Sequence, residues 1–247
     1  MITAFATRAE RLERLDLSDR HLGDATWIDL SCPTEAEEDA VEAALGIDIP
    51  TREDMQEIEV SSRIYREKGA LFLTAQVVAS HEARDTEIGP VTFVVLPKRL
   101  VTVHYHHPGS MKYFADWAAR HDTPLASGLA ILLAMLEAVV DRLADILEGE
   151  ARRHDVLSTA IFAAHRPSGK AETLPVVLQR IGRAEDLNGK VNESLGTLLR
   201  LVGYLVAASD PSGSPVLAAA EKATAHVLLE DIRSLREVAV VQADKVR

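Results

Sequence analysis

The sequence contains a single cysteine, Cys32. No internal disulfide can form, and a lone thiol points to a reducing compartment. Basic residues are in deficit, with 27 Lys and Arg against 38 Asp and Glu and a formal net charge of -11. Nucleic-acid affinity rests on basic clusters that release phosphate counterions, so this balance argues against a nucleic-acid partner. An acidic surface attracts cations, metal ions included, and equally serves solubility alone. Long hydrophobic runs are missing too. The longest charge-free stretch, TPLASGLAILLAMLEAVV up to Glu137, falls short of the roughly 20 apolar residues of a bilayer span and carries helical periodicity. The N-terminus, MITAFATRAERLERLDLSDR, turns charged within eight residues and lacks the apolar core of a signal peptide. The chain therefore reads as soluble and not secreted. G-x-S-x-G, H-E-x-x-H, the G-x-x-x-x-G-K-[ST] phosphate loop and a G-x-G-x-x-G after a strand are all absent, so the chain reads as a non-enzyme.

What is present is 47% hydrophobic residues over 247 positions, enough to fill a sizeable core in one large domain or two ordinary ones. Two textures divide the chain. Residues 1–122 mix the β-rich runs TWIDL, ALFLTAQVV, PVTFVVL and LVTVHYH with helical stretches, which predicts an α/β domain with a mixed sheet flanked by helices. Strands are expected over Ala70 to Val78, Val91 to Leu96 and Leu100 to His106. The short LPKRL joins the last two as an antiparallel hairpin, and SHEARDTEIGP supplies a looser polar loop before them. Thr34 with Glu37, just after Pro33, matches a capping box that starts a helix running to Leu45 and ending at Gly46. Thr51 with Asp54 repeats the signal and predicts a second short helix through Glu59.

Residues 123–247 read as almost wholly helical, opening at Thr123-Pro124. Leu132, Leu136, Val139, Leu143 and Ile146 form one seam of a long helix, and Leu187, Val191, Leu195, Leu198, Val202 and Leu205 form a second. HRPSGKAET and SDPSGSP supply the turns. A third helix starts near Pro215 with a stripe of Leu217, Ala220, Thr224, Leu228, Leu235, Val238 and Val246, and no stop signal precedes Arg247.

Three groups could carry chemistry. His104 and His106 alternate onto one strand face, close enough to share a metal, while His107 points away; a metal-dependent hydrolase built on the pair is the only enzymatic reading they allow. Cys32, beside Pro33, reads as a small buried filler more than as a nucleophile. Asp231 borders the apolar stripe of the last helix, where a carboxylate must be paired, hydrated or bound to a cation.

Motif order adds to this reading. WIDLSCPTEAEEDAVEAALGIDIPTREDMQEIE resembles the hinge and double helix start of the CorA family of divalent-cation channels, with Trp27, Ile28, Asp29, Leu30, Pro33, Thr34 and Glu37, then Gly46, Ile47, Thr51, Glu53 and Asp54, at the matching positions. YREKGALFLTAQVV, VTFVVLPKRLVTVHYHHP, LLAMLEAVVDRLADILEGEARRHDVL and HVLLEDIRSLREVAVVQADKVR are similar to the strands, the long helix and the stalk helix that follow in that family. Each motif is weak by itself, but together they cover nearly the entire chain in the family's order.

The resemblance implies the protomer of a homopentameric, funnel-shaped soluble domain on the cytoplasmic face of the membrane. Its last helix would continue into transmembrane spans that this sequence lacks. It also implies a divalent cation bound between subunits: magnesium, with cobalt or zinc as alternatives. Asp231 stands at the family's regulatory aspartate, and its partner falls near His81 and Glu82, where the archetype has an aspartate. A histidine there suits softer ions such as zinc or cobalt better than magnesium. The family's arginine-proline pair is replaced by SSRIYREKG. The competing reading is a free-standing helical interaction or scaffold protein without metal control.

Overall fold

A computed structural model describes residues 1–16, 22–81, 85–123, 125–163, 174–209 and 216–246, with the side chains of 80–81, 85, 156–163 and 245–246 outside the description. The chain opens with two strands absent from the sequence reading, β1 (Ile2–Arg8) and β2 (Arg11–Arg14), paired antiparallel. Their turn residues Ala9 and Glu10 have φ of 47° and 65°, the left-handed conformation that a two-residue primed hairpin turn requires. Neither is the Gly, Asn or Asp that usually announces such a turn, so the hairpin carries no local signature.

β3 (Trp27–Ser31) pairs antiparallel with β1 and parallel with β7 (Arg99–His104). β6 (Asp85–Leu96), β5 (Ala70–His81) and β4 (Ile64–Glu67) complete a seven-stranded mixed sheet in the order β2-β1-β3-β7-β6-β5-β4. The polar loop expected over SHEARDTEIGP is largely strand: pairing runs from Leu71↔Val95 out to His81↔Asp85. Backbone ladders tolerate polar side chains wherever a face meets solvent, so hydrophobicity marked only the buried part of this hairpin.

Strand alternation sends two sets of side chains to opposite faces. Ala4, Ile28, Leu30, Phe72, Val94, Val101 and Val103 meet Val41 of α1 (Glu35–Leu45), Ile47, Ile49 and Met55 of α2 (Arg52–Gln56). Both capping boxes form, with Glu37 Oε2 accepting from the Thr34 N–H at 2.9 Å and Asp54 Oδ2 from the Thr51 N–H at 2.9 Å. The second helix stops at Gln56, and a separate turn, α3 (Val60–Arg63), follows it.

On the other face, Trp27, Leu71, Leu73, Phe93, Val95 and Leu100 share one core with the remaining helices. α4 (Gly109–Ala118) was not resolved in the sequence reading, because HHPGSMKYFADWA mixes polar and apolar residues; its Met111, Phe114 and Ala118 are buried, and Phe114 meets Trp27 edge-on. α5 (Gly128–Ala163) begins later than Thr123-Pro124, with Ser127 Oγ accepting from the Ala130 N–H at 3.0 Å; Pro124 lies outside the described residues. All five seam residues from Leu132 to Ile146 are buried.

α6 (Leu174–Ala207) lies along the sheet edge. β4 pairs only with Ala70 to Leu73, and beyond it Gln76 of β5 donates its N–H to Thr197 Oγ1 at 2.9 Å and accepts from Ser194 Oγ at 2.7 Å. Covering an exposed edge in this way blocks pairing with foreign strands. α7 (Ala219–Val246) buries Ala225, Leu228, Leu229, Ile232 and Ala239. That stripe is rotated from the expected one: Leu235 is only partly buried and Val238 is exposed. Both predicted turns between the long helices fall almost wholly outside the described residues. No helix among the described residues is long and apolar enough to cross a membrane.

Candidate metal centre

Asp231 occupies the second turn of α7's buried stretch, between the buried Leu229 and Ile232, with its own side chain exposed. Its charge is felt across the helix pair by Glu137 and Asp141 of α5. Partial burial raises the Glu137 carboxyl above its ordinary value, and the charges of Asp141 and Asp231 add to the rise. Asp141 is raised in the same way, by desolvation first and then by Asp145 and Asp231. Glu137, Asp141 and Asp145 follow each other at i, i+4 and i+8, so they line one edge of α5. Like charges held together cost free energy that a bound cation or proton would relieve.

Among the described residues, no three His, Cys, Asp or Glu side chains lie close enough to hold a metal ion within one protomer. His81 ends β5, opposite Asp85 in the register, and its side chain is outside the description, as is the whole of Glu82. The hairpin that carries them is fastened to α6: Lys190 donates to the Thr86 carbonyl at 2.7 Å and pairs with Asp186 at 2.6 Å. Sequence reasoning selected Asp231 but passed over Glu137 and Asp141. The i, i+4, i+8 spacing was visible, while their meeting with α7 was not.

The histidine pair is not a metal site. His104 is buried and its Nε2 lies 3.1 Å from Asp29 Oδ1, while its Nδ1 lies 2.6 Å from the His106 carbonyl. His106 sends Nε2 to the Val77 carbonyl at 2.9 Å, and the two rings stand edge to face with centroids 6.2 Å apart. Three of the four ring nitrogens are therefore taken by oxygen partners, which removes the support for the lowest-ranked reading, a hydrolase built on this pair. Burial, the largest influence, pulls His104 down, but the hydrogen bond and charge of Asp29 and the bond to the His106 carbonyl outweigh it, and the imidazole stands above its ordinary value. Burial pushes His106 down, leaving it the neutral member. Asp29 Oδ1 also accepts from Thr102 Oγ1 at 2.6 Å, and Thr102 in turn accepts from Trp27 Nε1 at 3.0 Å.

Cys32 is exposed, contrary to the buried filler expected of it. It ends β3 in a left-handed conformation, φ 44°, with its N–H donated to the His104 carbonyl at 2.8 Å. The turn that lets the chain leave the sheet points the thiol outward.

The profile of the CorA-like Mg2+ transporter protein family matches residues 23–246. The chain belongs to this family. It is 25% identical over 206 residues to the magnesium transport protein CorA of Haemophilus influenzae, covering 83% of this chain and 64% of that protein. To the CorA of Salmonella typhimurium it is 26% identical over 240 residues, covering 95% of this chain and 72% of that one. The chain thus spans about two thirds of the length of these relatives. The soluble domain of CorA from Methanocaldococcus jannaschii has the same fold, with a TM-score of 0.77 at 14% identity over 100% of this chain and 93% of that one. The ZntB cytoplasmic domain from Vibrio parahaemolyticus follows at 0.68 and 9% identity over 99% of this chain and 92% of that one. A sheet followed by three long helices is therefore the soluble-domain fold of CorA, and the family is one of transporters, not enzymes.

Proposed function

We propose that this chain is the metal-sensing and gating domain of a CorA-type divalent metal ion transporter. It would lie on the cytoplasmic face of the membrane and work as a homopentamer joined through α7 to a transmembrane pore. The observation that carries this reading is the cluster of carboxylates on α5 and α7, where partial burial first and then neighbouring charges that include Asp231 raise Glu137 and Asp141. Carboxylate oxygens are the hard donors that magnesium takes. Because one protomer supplies no three-residue metal set among its described residues, Asp231 would act with groups of a neighbouring copy, and the β5–β6 hairpin carrying His81 and Glu82 is the proposed donor. Should His81 be a ligand, zinc or cobalt would be favoured over magnesium.

Neutralising these acids where copies meet favours the closed arrangement. Losing the neutralising charge leaves mutual repulsion, which biases the assembly toward opening. Exposed Val227, Val238, Val240 and Val241 on α7 offer apolar surface for the same association.

The test is the melting temperature and sedimentation of the chain with EDTA and with millimolar magnesium, cobalt or zinc. A cation at a hundredfold excess over its Kd contributes about 2.7 kcal/mol, or roughly 5–10 °C. The shift should shrink in Asp231→Asn. Association that ignores cations altogether would favour the metal-independent scaffold and remove the basis for sensing.

A further inference from the structure

Alternation along the strands brings Phe5 of β1, Leu12 and Arg14 of β2, and Trp27 and Asp29 of β3 to the face crossed by α4. Between that face and Met111 and Lys112 of α4 lies a cleft of about 670 Å³, within the size range of small-molecule sites. Nothing in the cation-gating reading uses it.

Three properties of the cleft converge on one kind of ligand. Its floor is a part-buried acid–base pair: Asp29 Oδ1 accepts from both His104 and Thr102, while Oδ2 carries no hydrogen bond among the described residues. The Asp29 side chain is 16% exposed and lines the cleft, so Oδ2 is an accessible acceptor at which a ligand N–H can take the place of water. One wall is apolar and rigid, made of Leu12, Met111 and Phe5, the last stacked on Trp27 at 4.5 Å with an interplanar angle of 12°. At the rim stand Arg14 and Lys112, both exposed and neither with an ion pair or hydrogen bond among the described residues, facing the single rim carboxylate of Asp116. In a chain of net charge -11, two uncommitted cations at the mouth of one cleft select for an anion.

We propose that this cleft binds a small aromatic anion, with its flat ring against Phe5, Leu12 and Met111, a ring N–H or amine donated to Asp29 Oδ2, and a phosphate or carboxylate on Arg14 and Lys112. Such a ligand would tie the β1–β2 hairpin to α4, and through Phe114 and Trp27 to the core beneath α5.

Isothermal titration of the full chain with AMP and with indole-3-carboxylate tests this, alongside the uncharged counterparts adenosine and indole. At least one anionic probe should bind saturably at one per chain. The uncharged counterpart should bind at least about tenfold more weakly, and so should the anion to Arg14→Glu or Lys112→Glu. Both positions are exposed, so these variants keep the wild-type melting temperature. The Trp27 indole N–H resonance, identified against Trp117→Phe, should shift on binding. Asp231→Asn should leave the affinity unchanged, which separates this site from the proposed cation sensor. Saturable binding by neither anion, or affinity indifferent to charge reversal at the rim, overturns the proposal.

Discussion

Gly128→Ala sets two physical rules against each other. Gly128 opens α5, where helix propensity favours alanine by about 1 kcal/mol and the loss of backbone freedom in the unfolded chain adds to that preference. A Cβ at this position would stand 2.2 Å from the Arg99 carbonyl oxygen, 2.3 Å from that of Leu96 and 2.9 Å from the Arg99 carbonyl carbon. Even weak carbon–oxygen contacts sit at about 3.3–3.6 Å, so the overlap is roughly 1 Å at two points. Neither oxygen can step aside alone. Leu96 and Arg99 pair with each other where β6 turns into β7, and the Arg99 guanidinium is bonded to the Leu22 and Gly23 carbonyls.

Overpacking against fixed backbone typically costs about 1–3 kcal/mol and sometimes more, which outweighs the propensity gain. With two backbone overlaps placing the cost at the upper end of that range, net destabilisation of about 1–2 kcal/mol is expected, a drop of roughly 2–8 °C for a chain of this size. Urea titration followed by circular dichroism reads it as a lower midpoint at unchanged slope. Gly149→Ala, also within α5, is the control: its Cβ would meet only the Arg153 guanidinium, at 3.5 Å, so it should stabilise by about 0.5–1 kcal/mol. A midpoint for Gly128→Ala at or above wild type would refute the close approach of α5 to the β6–β7 turn.

Gly89→Ala places a Cβ 2.9 Å from His106 Nδ1 and should cost about 1–2 kcal/mol; the penalty should largely vanish in a His106→Ala background, as a double-mutant cycle would measure. Asp29→Asn should destabilise by about 2 kcal/mol at pH 6. Because His104 is raised above its ordinary 6.5, the loss should be full below pH 6.5 and shrink as pH climbs through the folded-state value, traced by denaturation at successive pH. Glu137 and Asp141 are raised above 4.5 and 3.8, so their protonated forms favour the fold. That contribution is full below those values and is lost as pH rises through the folded-state ones. Glu137→Gln and Asp141→Asn should therefore raise the melting temperature of the EDTA-treated protein at pH 7 and reduce its response to magnesium. An unchanged response would exclude these two acids from the cation site.

Local signals were legible wherever neighbours in sequence are partners in space. The Thr34–Glu37 and Thr51–Asp54 boxes, the αL stop at Gly46 and the apolar seams of α5 and α6 each involve residues within a few turns of one another. The motif order of the family rests on the same pieces. The β1–β2 hairpin was hidden because Ala9 and Glu10 take left-handed conformations held by the closing Arg8↔Arg11 pair and by the Thr123 N–H bonded to the Glu10 carbonyl, not by their own chemistry.

The candidate sites divide along the same line. The sequence determined that acids recur every four residues along α5, that Asp231 sits beside an apolar stripe, and that Asp29 and His104 lie on strands. Only tertiary structure decided that the charge of Asp231 reaches Glu137 and Asp141, and that His104 binds Asp29 from 75 residues away instead of sharing a metal with His106. Periodicity fixes which face a side chain occupies, but the pairing of faces is set by packing and strand register, and these are properties of the whole core.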